Sequence, residues 1–274
     1  MTNPDLAQLR IDAKLATKFW GRTFSALNAV TYREKGADAA YRLYIEFLSR
    51  HQSTHFSDGL EKIGVSPDEP PAVMAAKYHY LSNIVGGLEL EYAEESPKKV
   101  WIRYTAPMWT YAGVAMMTFP AEYRAAAFVG WHPANGRMLG NKRLGWVSTK
   151  YIMEGEPYDE GYFIEYDHDI TPEQAMRREV VWKTPEFDPA KAPQLDPVQW
   201  PEARRLKARR KYSRGYVRET IDSMFSLFGE QATLFMVSQA MKLLAIQYTH
   251  EFRQDLGITG NRVEDVVELL TALL

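Results

Sequence analysis

The sequence predicts an α+β fold in which one antiparallel sheet, at about residues 87–168, is flanked by N-terminal and C-terminal helices. Apolar residues recur at helical spacing before Gly86-Gly87, and the period changes to two after this pair. Helical spacing returns after a proline-rich stretch at residues 183–201. The 274 residues, 46% hydrophobic and 25% charged, are typical of a globular protein with a sizeable core.

The first third of the chain is predicted to be helical. Its helices are bounded by glycine and proline, which are favoured after a helix end and in the first helical turn, respectively. The predicted segments run from Asn3-Pro4-Asp5 to Gly36, from about Ala37 to Ile63 with Gly64 as C-cap, and from Asp68-Glu69-Pro70-Pro71 to Gly86-Gly87.

A first hairpin is predicted after the double glycine. Apolar and acidic residues alternate over residues 88–92, and after a turn at Ser96 an alternation resumes over residues 100–105. A period of two is the pattern of half-buried strands. A short helix is then predicted at residues 120–129.

A second hairpin is predicted from strands at residues 144–153 and 160–167, because turn-forming residues connect them. With this turn centred on Pro157, the opposing pairs are Trp146 with His168, Ser148 with Tyr166, and Ile152 with Tyr162. Lys150 would share their sheet face. A slip of one residue moves the side chains of a strand to the other face, so this register decides which residues form the site.

The last third is predicted to be a connector followed by helices. Residues 183–201 carry five prolines and no periodicity, which indicates an extended segment. Long helices are predicted on both sides of Gly229, and a closing helix begins at Asn261. The helix at residues 230–256 is apolar nearly all round in its middle, which indicates central burial or an oligomer interface. The expected organisation is a domain over residues 1–182, the connector at 183–201, and a helical segment at 202–274 that packs on the first domain or in a homodimer interface.

Several classes of protein are excluded or disfavoured by absent motifs. The sequence has no cysteine, which excludes disulfides, thiolate nucleophiles and Cys-ligated metal sites. It has no GxGxxG, P-loop or GxSxG motif of the kind that marks dinucleotide, nucleotide-hydrolysing or α/β-hydrolase enzymes. No apolar signal core and no membrane-length apolar run occur, so a cytoplasmic protein without a membrane partner is expected.

A basic run from Ala203 to Arg218 carries eight basic residues. Nucleic-acid binding is one interpretation. A solvated helix face or an oligomer contact is favoured instead, because the net charge is −2 and no recognisable binding module is present. No nucleic-acid partner is therefore expected.

The order of elements resembles a known superfamily. A helix pair, the hairpin LELEYAEESPKKVWIRYTAPMW, a short helix and the closing LGWVSTKYIMEGEPYDEGYFIEYD cover residues 36–168. This order resembles the superfamily that contains 4-vinyl reductase domains and L-2-amino-thiazoline-4-carboxylic acid hydrolases. The resemblance implies a small-molecule pocket in an α+β domain, in an enzyme or a ligand sensor. This sequence has Tyr158 and Asp159 where many members place Cys.

The loop and second hairpin hold the candidate catalytic residues. Lys150 among Trp146, Tyr162 and Tyr166 is typical of a site for a flat carboxylate or phenolate, although an outward-facing strand has a similar composition. His132 is predicted in a loop beside the sheet, where its neutral ring could move a proton near pH 7 or bond nearby backbone.

The first functional hypothesis is a cofactor-independent lyase or hydrolase that acts on an aromatic small molecule, by elimination, retro-aldol-type cleavage or hydrolysis. Proton transfer and charge stabilisation are the remaining means, since no thiolate, flavin or nucleotide signature is present. His132 or Tyr166 would move the proton, while Lys150 and Arg103 hold negative charge. Further substrate-binding candidates are Tyr104, Trp109, Tyr111, Trp146, Tyr162 and His168. The alternative is a non-catalytic sensor or carrier of the same fold.

A metal site is the alternative for a different segment. His51, His55 and Asp58 recur at helical spacing, so their side chains share one helix face and could bind zinc. Two solvated helix histidines are the simpler interpretation. The first hypothesis needs no cofactor.

Overall fold

A computed structural model describes residues 6–106, 108–112 and 115–273 of the chain. The chain folds into two compact units. The helical unit comprises the described residues of Met1–Ala40, Trp109–Thr118 and Glu202–Leu274, and the sheet unit comprises those of Tyr41–Met108 and Phe119–Pro201. The first helix thus groups with the C-terminal helices, whereas the sequence suggested one domain over residues 1–182.

The predicted α+β class is confirmed. The helices are α1 (Leu6–Lys35), α2 (Ala37–Lys62), α3 (Pro71–Val85), α4 (Ala115–Thr118), α5 (Glu122–Trp131), α6 (Ala134–Met138), α7 (Glu202–Leu256) and α8 (Val263–Leu273). The strands are β1 (Leu90–Ser96), β2 (Lys99–Thr105), β3 (Leu144–Lys150), β4 (Tyr158–Glu165) and β5 (Met176–Arg178). They form one sheet in the order β1-β2-β4-β3-β5, antiparallel except for the β3–β5 pair.

The register of the second hairpin differs from the sequence prediction. Trp146 lies opposite Phe163 rather than His168, and Ser148 lies opposite Gly161 rather than Tyr166. The shift is an odd number of residues, so Trp146 and Tyr162 lie on opposite faces of the sheet. A 3-10 turn that ends at Gly155 (φ 92°) separates the strands, so the pairing is centred before Pro157.

The two faces of the sheet are covered by different parts of the chain. On the inner face, α3 packs against β2 and β4, and Phe128 of α5 contacts Tyr104 and Trp146. On the outer face, Val181 and Phe187 pack on an apolar cluster of Ala93, Trp101, Val147 and Tyr162. Both faces are therefore buried to a large extent.

Phe187 belongs to the proline-rich connector, which is extended as predicted. Its residues, all of them described, contain one short 3-10 turn at Pro189–Lys191 and no longer helix or strand. The connector is fastened near its end, where Trp200 Nε1 donates to the carbonyl of Lys62 at 2.9 Å. The connector thus covers part of the outer face and belongs to the sheet unit.

The helical unit is built mainly from α1 and α7. Bidentate ion pairs join Arg10 to Glu202 and Arg22 to Glu251, with closest distances of 2.6 and 2.7 Å. The predicted break at Gly229 is confirmed, since its backbone angles (φ 76°, ψ 174°) are not helical. No helix in the described ranges is long and apolar enough to cross a membrane.

Candidate functional site

Three of the candidate residues meet in the core of the sheet unit, on the inner face. His132 caps α5, and its Nε2 lies 3.1 Å from the hydroxyl of Tyr104 on β2. The same imidazole stacks on Trp146 of β3, with ring centroids 4.1 Å apart. All three side chains are buried, with at most 1% of their surface exposed. The structure therefore places His132 inside the core and not in the open loop that the sequence suggested.

A second histidine, His79 of α3, continues this arrangement. Its ring lies 4.4 Å from that of His132, and its Nε2 lies 2.7 Å from the amide nitrogen of Asn135. Asn135 in turn accepts a hydrogen bond from Gln52 of α2 through its amide oxygen. We call these five residues, Gln52, His79, Tyr104, His132 and Asn135, the buried polar cluster.

Both imidazoles of the buried polar cluster are neutral at pH 7. Burial lowers the pKa of His79 to about 3, against the opposing effect of its bond to Asn135. Burial also lowers the pKa of His132 well below its ordinary value, and the nearby His79 and Arg124 act in the same direction. Efficient general acid–base catalysis near pH 7 needs a group with a pKa near 7. The pKa of His132 in this closed arrangement does not meet that requirement.

The hydrogen bonds also assign the tautomer of His79. Because the Asn135 amide nitrogen can only donate, Nε2 of neutral His79 accepts and its proton lies on Nδ1. Within the described part of the chain, Nδ1 of His79 and Nδ1 of His132 have no hydrogen-bond partner. A protonated Nδ1 and an occupied Nε2 leave His79 no lone pair for a metal ion.

A groove lies on the other side of the segment that carries His132. The side chains of residues 129–137 point to two sides of the segment. Trp131, His132 and Asn135 are buried in the core, whereas other residues of the segment line a groove of about 480 Å³. The groove is lined by apolar side chains, among them Val129, Pro133, Leu144, Ile170, Pro172 and Ala175. Its wall is thus also the wall of the buried polar cluster.

Two exposed cations line the same groove. In the described part of the chain, no carboxylate lies within ion-pair distance of Arg137 or Lys142. The neighbouring Arg143 differs, since it pairs with Glu165 at 2.6 Å. Arg137 and Lys142 therefore hold positive charge that no acidic side chain of the described chain neutralises.

Glycines give the groove wall its shape. A Cβ at Gly136 would lie 2.7 Å from the carbonyl oxygen of Asn141 and 2.8 Å from that of Leu144. A Cβ at Gly130 would lie 2.7 Å from the carbonyl oxygen of Ile45 on α2. Asn135 and Gly136 both belong to α6, where the small glycine allows close packing and Asn135 bonds inside the core.

The outer face holds other candidate residues, and their polar groups are already paired with neighbouring side chains. Arg103 pairs with Glu91 at 2.6 Å and with the buried Glu160 at 2.7 Å. Its guanidinium also lies between the rings of Tyr158 and Phe187, at 3.9 and 4.0 Å. Two carboxylates neutralise this cation, so the geometry gives Arg103 a structural role and not the expected role of holding substrate charge.

The expected patch of Lys150, Tyr162, Tyr166 and Trp146 is not assembled, because Trp146 lies on the inner face. Lys150 Nζ lies 3.2 Å from the hydroxyl of Tyr158, next to the irregular β3–β4 pairing between Ser148 and Lys150. The hydroxyl of Tyr162 donates to Glu179 at 2.8 Å, and burial together with this carboxylate raises the pKa of the phenol.

The remaining candidates are scattered. The ring of Tyr166 lies 5.8 Å from that of the exposed His168, beyond the end of β4. Trp109 and Tyr111 belong to the helical unit, where Trp109 packs edge-on against Tyr216. Trp109 and Tyr111 therefore belong to a different unit from Trp146.

The alternative metal set is brought together only in part. The rings of His51 and His55 lie 4.7 Å apart on α2. The Asp58 carboxylate is 77% exposed and lies 3.8 Å from Lys62. The two imidazoles are neighbours, whereas the carboxylate is turned toward solvent and a lysine.

Sequence reasoning missed His79, Asn135, Arg137 and Lys142. His79 stands among apolar residues in the pattern of α3, and a polar residue on a buried helix face is a signal of a core hydrogen bond. The two cations carry no such signal, because exposed lysine and arginine are common everywhere on protein surfaces.

Comparison with known proteins adds no identification. No protein-family model, curated protein or solved structure matches this chain. The resemblance of residues 36–168 to the 4-vinyl reductase superfamily stays a prediction.

Proposed function

We propose that the sheet unit binds a small organic carboxylate, aromatic or otherwise flat, in the groove beside α6. The observation that carries this proposal is the pair of cations, Arg137 and Lys142, beside an apolar lining. An apolar concave surface with a few polar groups is the usual form of a small-molecule site. The groove, at about 480 Å³, falls in the usual range of such sites.

The chemistry of the lining defines the ligand class. A flat apolar body would cover Val129, Pro133 and Leu144, while its carboxylate would lie between the two cations. Arginine can bind a carboxylate through two parallel N–H groups, and lysine adds a mobile positive charge. A neutral ligand would gain only the apolar contact. The site should therefore prefer an acid over the corresponding alcohol.

A test compares benzoate and phenylacetate with benzyl alcohol, by following backbone amide signals in NMR titrations. We expect the acids to shift the signals of residues 129–137 and 142–144 at lower concentrations than the alcohol does. In the double variant Arg137→Gln/Lys142→Gln, the preference for the acids should fall by at least about tenfold, since even one charge-assisted hydrogen bond contributes about 1.5–3 kcal/mol. Equal affinity for acid and alcohol in the wild type would reject the proposal.

A matched control variant changes the net charge by the same amount but alters two lysines outside the groove. Lys183 and Lys191 are exposed in the connector of the same unit, and neither lines the groove. Lys183→Gln/Lys191→Gln changes the net charge by the same amount, so it should leave acid binding unchanged. Equal losses in both double variants would indicate a general charge effect.

A second candidate function is a cofactor-independent lyase or hydrolase that acts on an aromatic molecule by acid–base chemistry. One observation favours it, the 3.1 Å hydrogen bond between Tyr104 and His132. Both residues are buried, so the groove wall would have to open before a substrate reached them. Loss of turnover with retained binding in Tyr104→Phe would support this candidate. Binding of an acid without turnover in any variant supports a sensor or carrier.

For the helical unit we propose self-association into a homodimer. Large apolar side chains are exposed on α7 and α8, including Leu234 (55%), Ile246 (83%) and Val263 (75%). Exposed apolar faces of this kind are typical of protein interfaces. Sedimentation velocity should show a dimer that Leu234→Glu/Ile246→Glu converts to a monomer, and a monomeric wild type would reject this part. A cytoplasmic location stays a prediction from the sequence.

A further inference from the structure

The basic run of the sequence forms one exposed stripe on α7. Five of its eight basic residues, Arg204, Lys207, Lys211, Arg214 and Arg218, are spaced alternately three and four positions apart, and all five are exposed. At about 100° per residue, this spacing confines them to a sector of about 80° and a length of about 21 Å. We call these five residues the basic stripe.

The orientation of the basic stripe is fixed by the opposite side of the helix. Ser213, Tyr216, Val217 and Thr220 are buried, and they project from the side of α7 that faces away from the stripe. The buried Thr220 hydroxyl donates to the carbonyl of Tyr216 at 2.7 Å, so it is satisfied within the helix. The cations thus present a fixed row to solvent.

Three cations of the basic stripe have no acidic partner in the described chain. In the described part of the chain, no carboxylate lies within ion-pair distance of Lys207, Lys211 or Arg214. Arg218 lies 3.7 Å from Glu219, with 72% of its side chain exposed. Asp222, one turn beyond Arg218, marks the end of the positive surface.

Although the net charge of the sequence argued against a nucleic-acid partner, the exposed single row of cations leads us to a different inference. We propose that the basic stripe binds the phosphodiester backbone of a nucleic acid without reading its sequence. Backbone phosphates need only a row of cations within reach, and such binding is independent of base identity. Along one edge of the basic stripe lie the half-buried Ala208 and Gly215, whose small size leaves that edge open. A Cβ at Gly215 would meet no atom within 4 Å, so a backbone can approach closely.

A membrane surface and a partner helix of another protein fit the basic stripe less well. A helix that lies on a membrane surface inserts apolar and aromatic side chains, and the stripe has none between its cations. A partner helix of a protein would bury apolar residues between the charged pairs. The basic stripe has no apolar residues between its cations, so it does not offer this kind of interface. The negative net charge of −2 limits non-specific attraction, so binding would depend on the stripe itself.

The test uses the full chain with a fluorescein-labelled DNA duplex of about 20 base pairs, and with a single-stranded RNA of about 20 nucleotides. Anisotropy titrations between about 50 and 200 mM salt give the number of phosphate contacts, at about 0.7–0.9 in the slope of log K per contact. We expect a slope of about −3 to −4 for the wild type. Lys207→Gln/Lys211→Gln/Arg214→Gln should weaken binding at least about tenfold at low salt and reduce the slope by about 2.

The control removes three positive charges elsewhere in the helical unit. Lys14, Arg205 and Lys242 are exposed and lie outside the basic stripe. Lys14→Gln/Arg205→Gln/Lys242→Gln should retain affinity and slope. The proposal is overturned by absence of wild-type binding to both probes at low salt, or by equal losses in the two triple variants. Stripe-dependent binding to phosphatidylserine vesicles without binding to either probe would also overturn it, in favour of a membrane.

Discussion

The imidazoles of His79 and His132 stack face to face in the core of the sheet unit, with centroids 4.4 Å apart and planes inclined by 24°. Both rings are buried, at 0% and 1% exposure. Two charged imidazoles at this distance would repel each other and lose their hydration, so the fold admits the pair only in the neutral form. This relationship links the stability of the unit to pH.

Acid should destabilise the sheet unit before carboxylates begin to titrate. The folded-state pKa of both histidines lies below the unfolded value of about 6.5. Below about pH 6.5 the unfolded chain therefore binds protons that the folded chain does not bind. The contribution to stability is full above that pH and declines toward about pH 3, where His79 protonates in the folded state. Urea unfolding should show a loss of about 2 kcal/mol per histidine between about pH 6.5 and 5.

The variant His79→Gln separates this effect from general acid sensitivity. It removes one of the two titrating rings, so the decline between about pH 6.5 and 5 should be roughly halved. His168 is exposed, and His168→Gln should leave the decline unchanged. An identical pH dependence of wild type and His79→Gln would contradict the prediction.

The buried ion pair of Arg124 and Asp159 should stabilise the sheet unit, because each charge neutralises the other in the core. Its atoms lie 2.7 Å apart, and both side chains are almost inaccessible, at 6% and 0%. Arg124→Met leaves a buried carboxylate uncompensated and should cost about 3–5 kcal/mol of unfolding free energy. Arg124→Met/Asp159→Asn removes that charge and should cost less than the single variant. A double variant as unstable as the sum of the singles would contradict this account.

Gly136→Ala should destabilise the sheet unit and weaken acid binding in the groove. The new methyl group would meet two backbone oxygens closer than 3 Å, and backbone cannot move aside cheaply. Overpacking of this kind costs about 1–3 kcal/mol. The matched control is Gly215→Ala, which has open space in a helix and should gain about 0.5–1 kcal/mol. Thermal and urea unfolding of both variants provide the comparison.

Gly229→Ala should destabilise the helical unit, because its backbone angles (φ 76°, ψ 174°) are accessible essentially to glycine alone. The expected cost is about 1–3 kcal/mol, measured by urea unfolding. A variant at least as stable as the wild type would show that α7 runs through this position as one uninterrupted helix.

Phe187 should hold the connector on the outer face of the sheet. Its ring lies 4.0 Å from the guanidinium of Arg103 and packs beside the cluster around Trp101 and Tyr162. A cation–π contact of about 0.5–2 kcal/mol predicts that Phe187→Ala increases trypsin cleavage at Lys183 and Lys191 by about 2- to 30-fold. Trp182 is 96% exposed, so Trp182→Ala should leave the cleavage rate unchanged. Unchanged cleavage in Phe187→Ala would contradict this role.

Local patterns predicted most of the elements of this fold. The helical period, the change to a period of two after Gly86-Gly87, and the glycines past helix ends placed most helices and strands within a few residues. These signals depend on neighbours in sequence, since backbone hydrogen bonding and capping are local. The strand β5 was missed because three residues carry no measurable period.

The register of the second hairpin depends on more than local patterns. Trp146, Tyr162 and Tyr166 are all aromatic, so either face of β3 and β4 could have been the inner one. Packing of α3 and α5 against one face, and of Phe187 against the other, decides which residues are buried together. The predicted group of Lys150, Tyr162 and Tyr166 with Trp146 failed for this reason.

By itself, the sequence determined the α+β class, the break at Gly229, the extended connector and the lack of cysteine chemistry. Only the tertiary structure brought His79 to His132, neutralised Arg103 with Glu160, and left Arg137 and Lys142 without carboxylates in the described chain. The physical reason is that secondary structure follows from short-range periodicity, whereas burial, pKa and charge compensation depend on residues far apart in sequence.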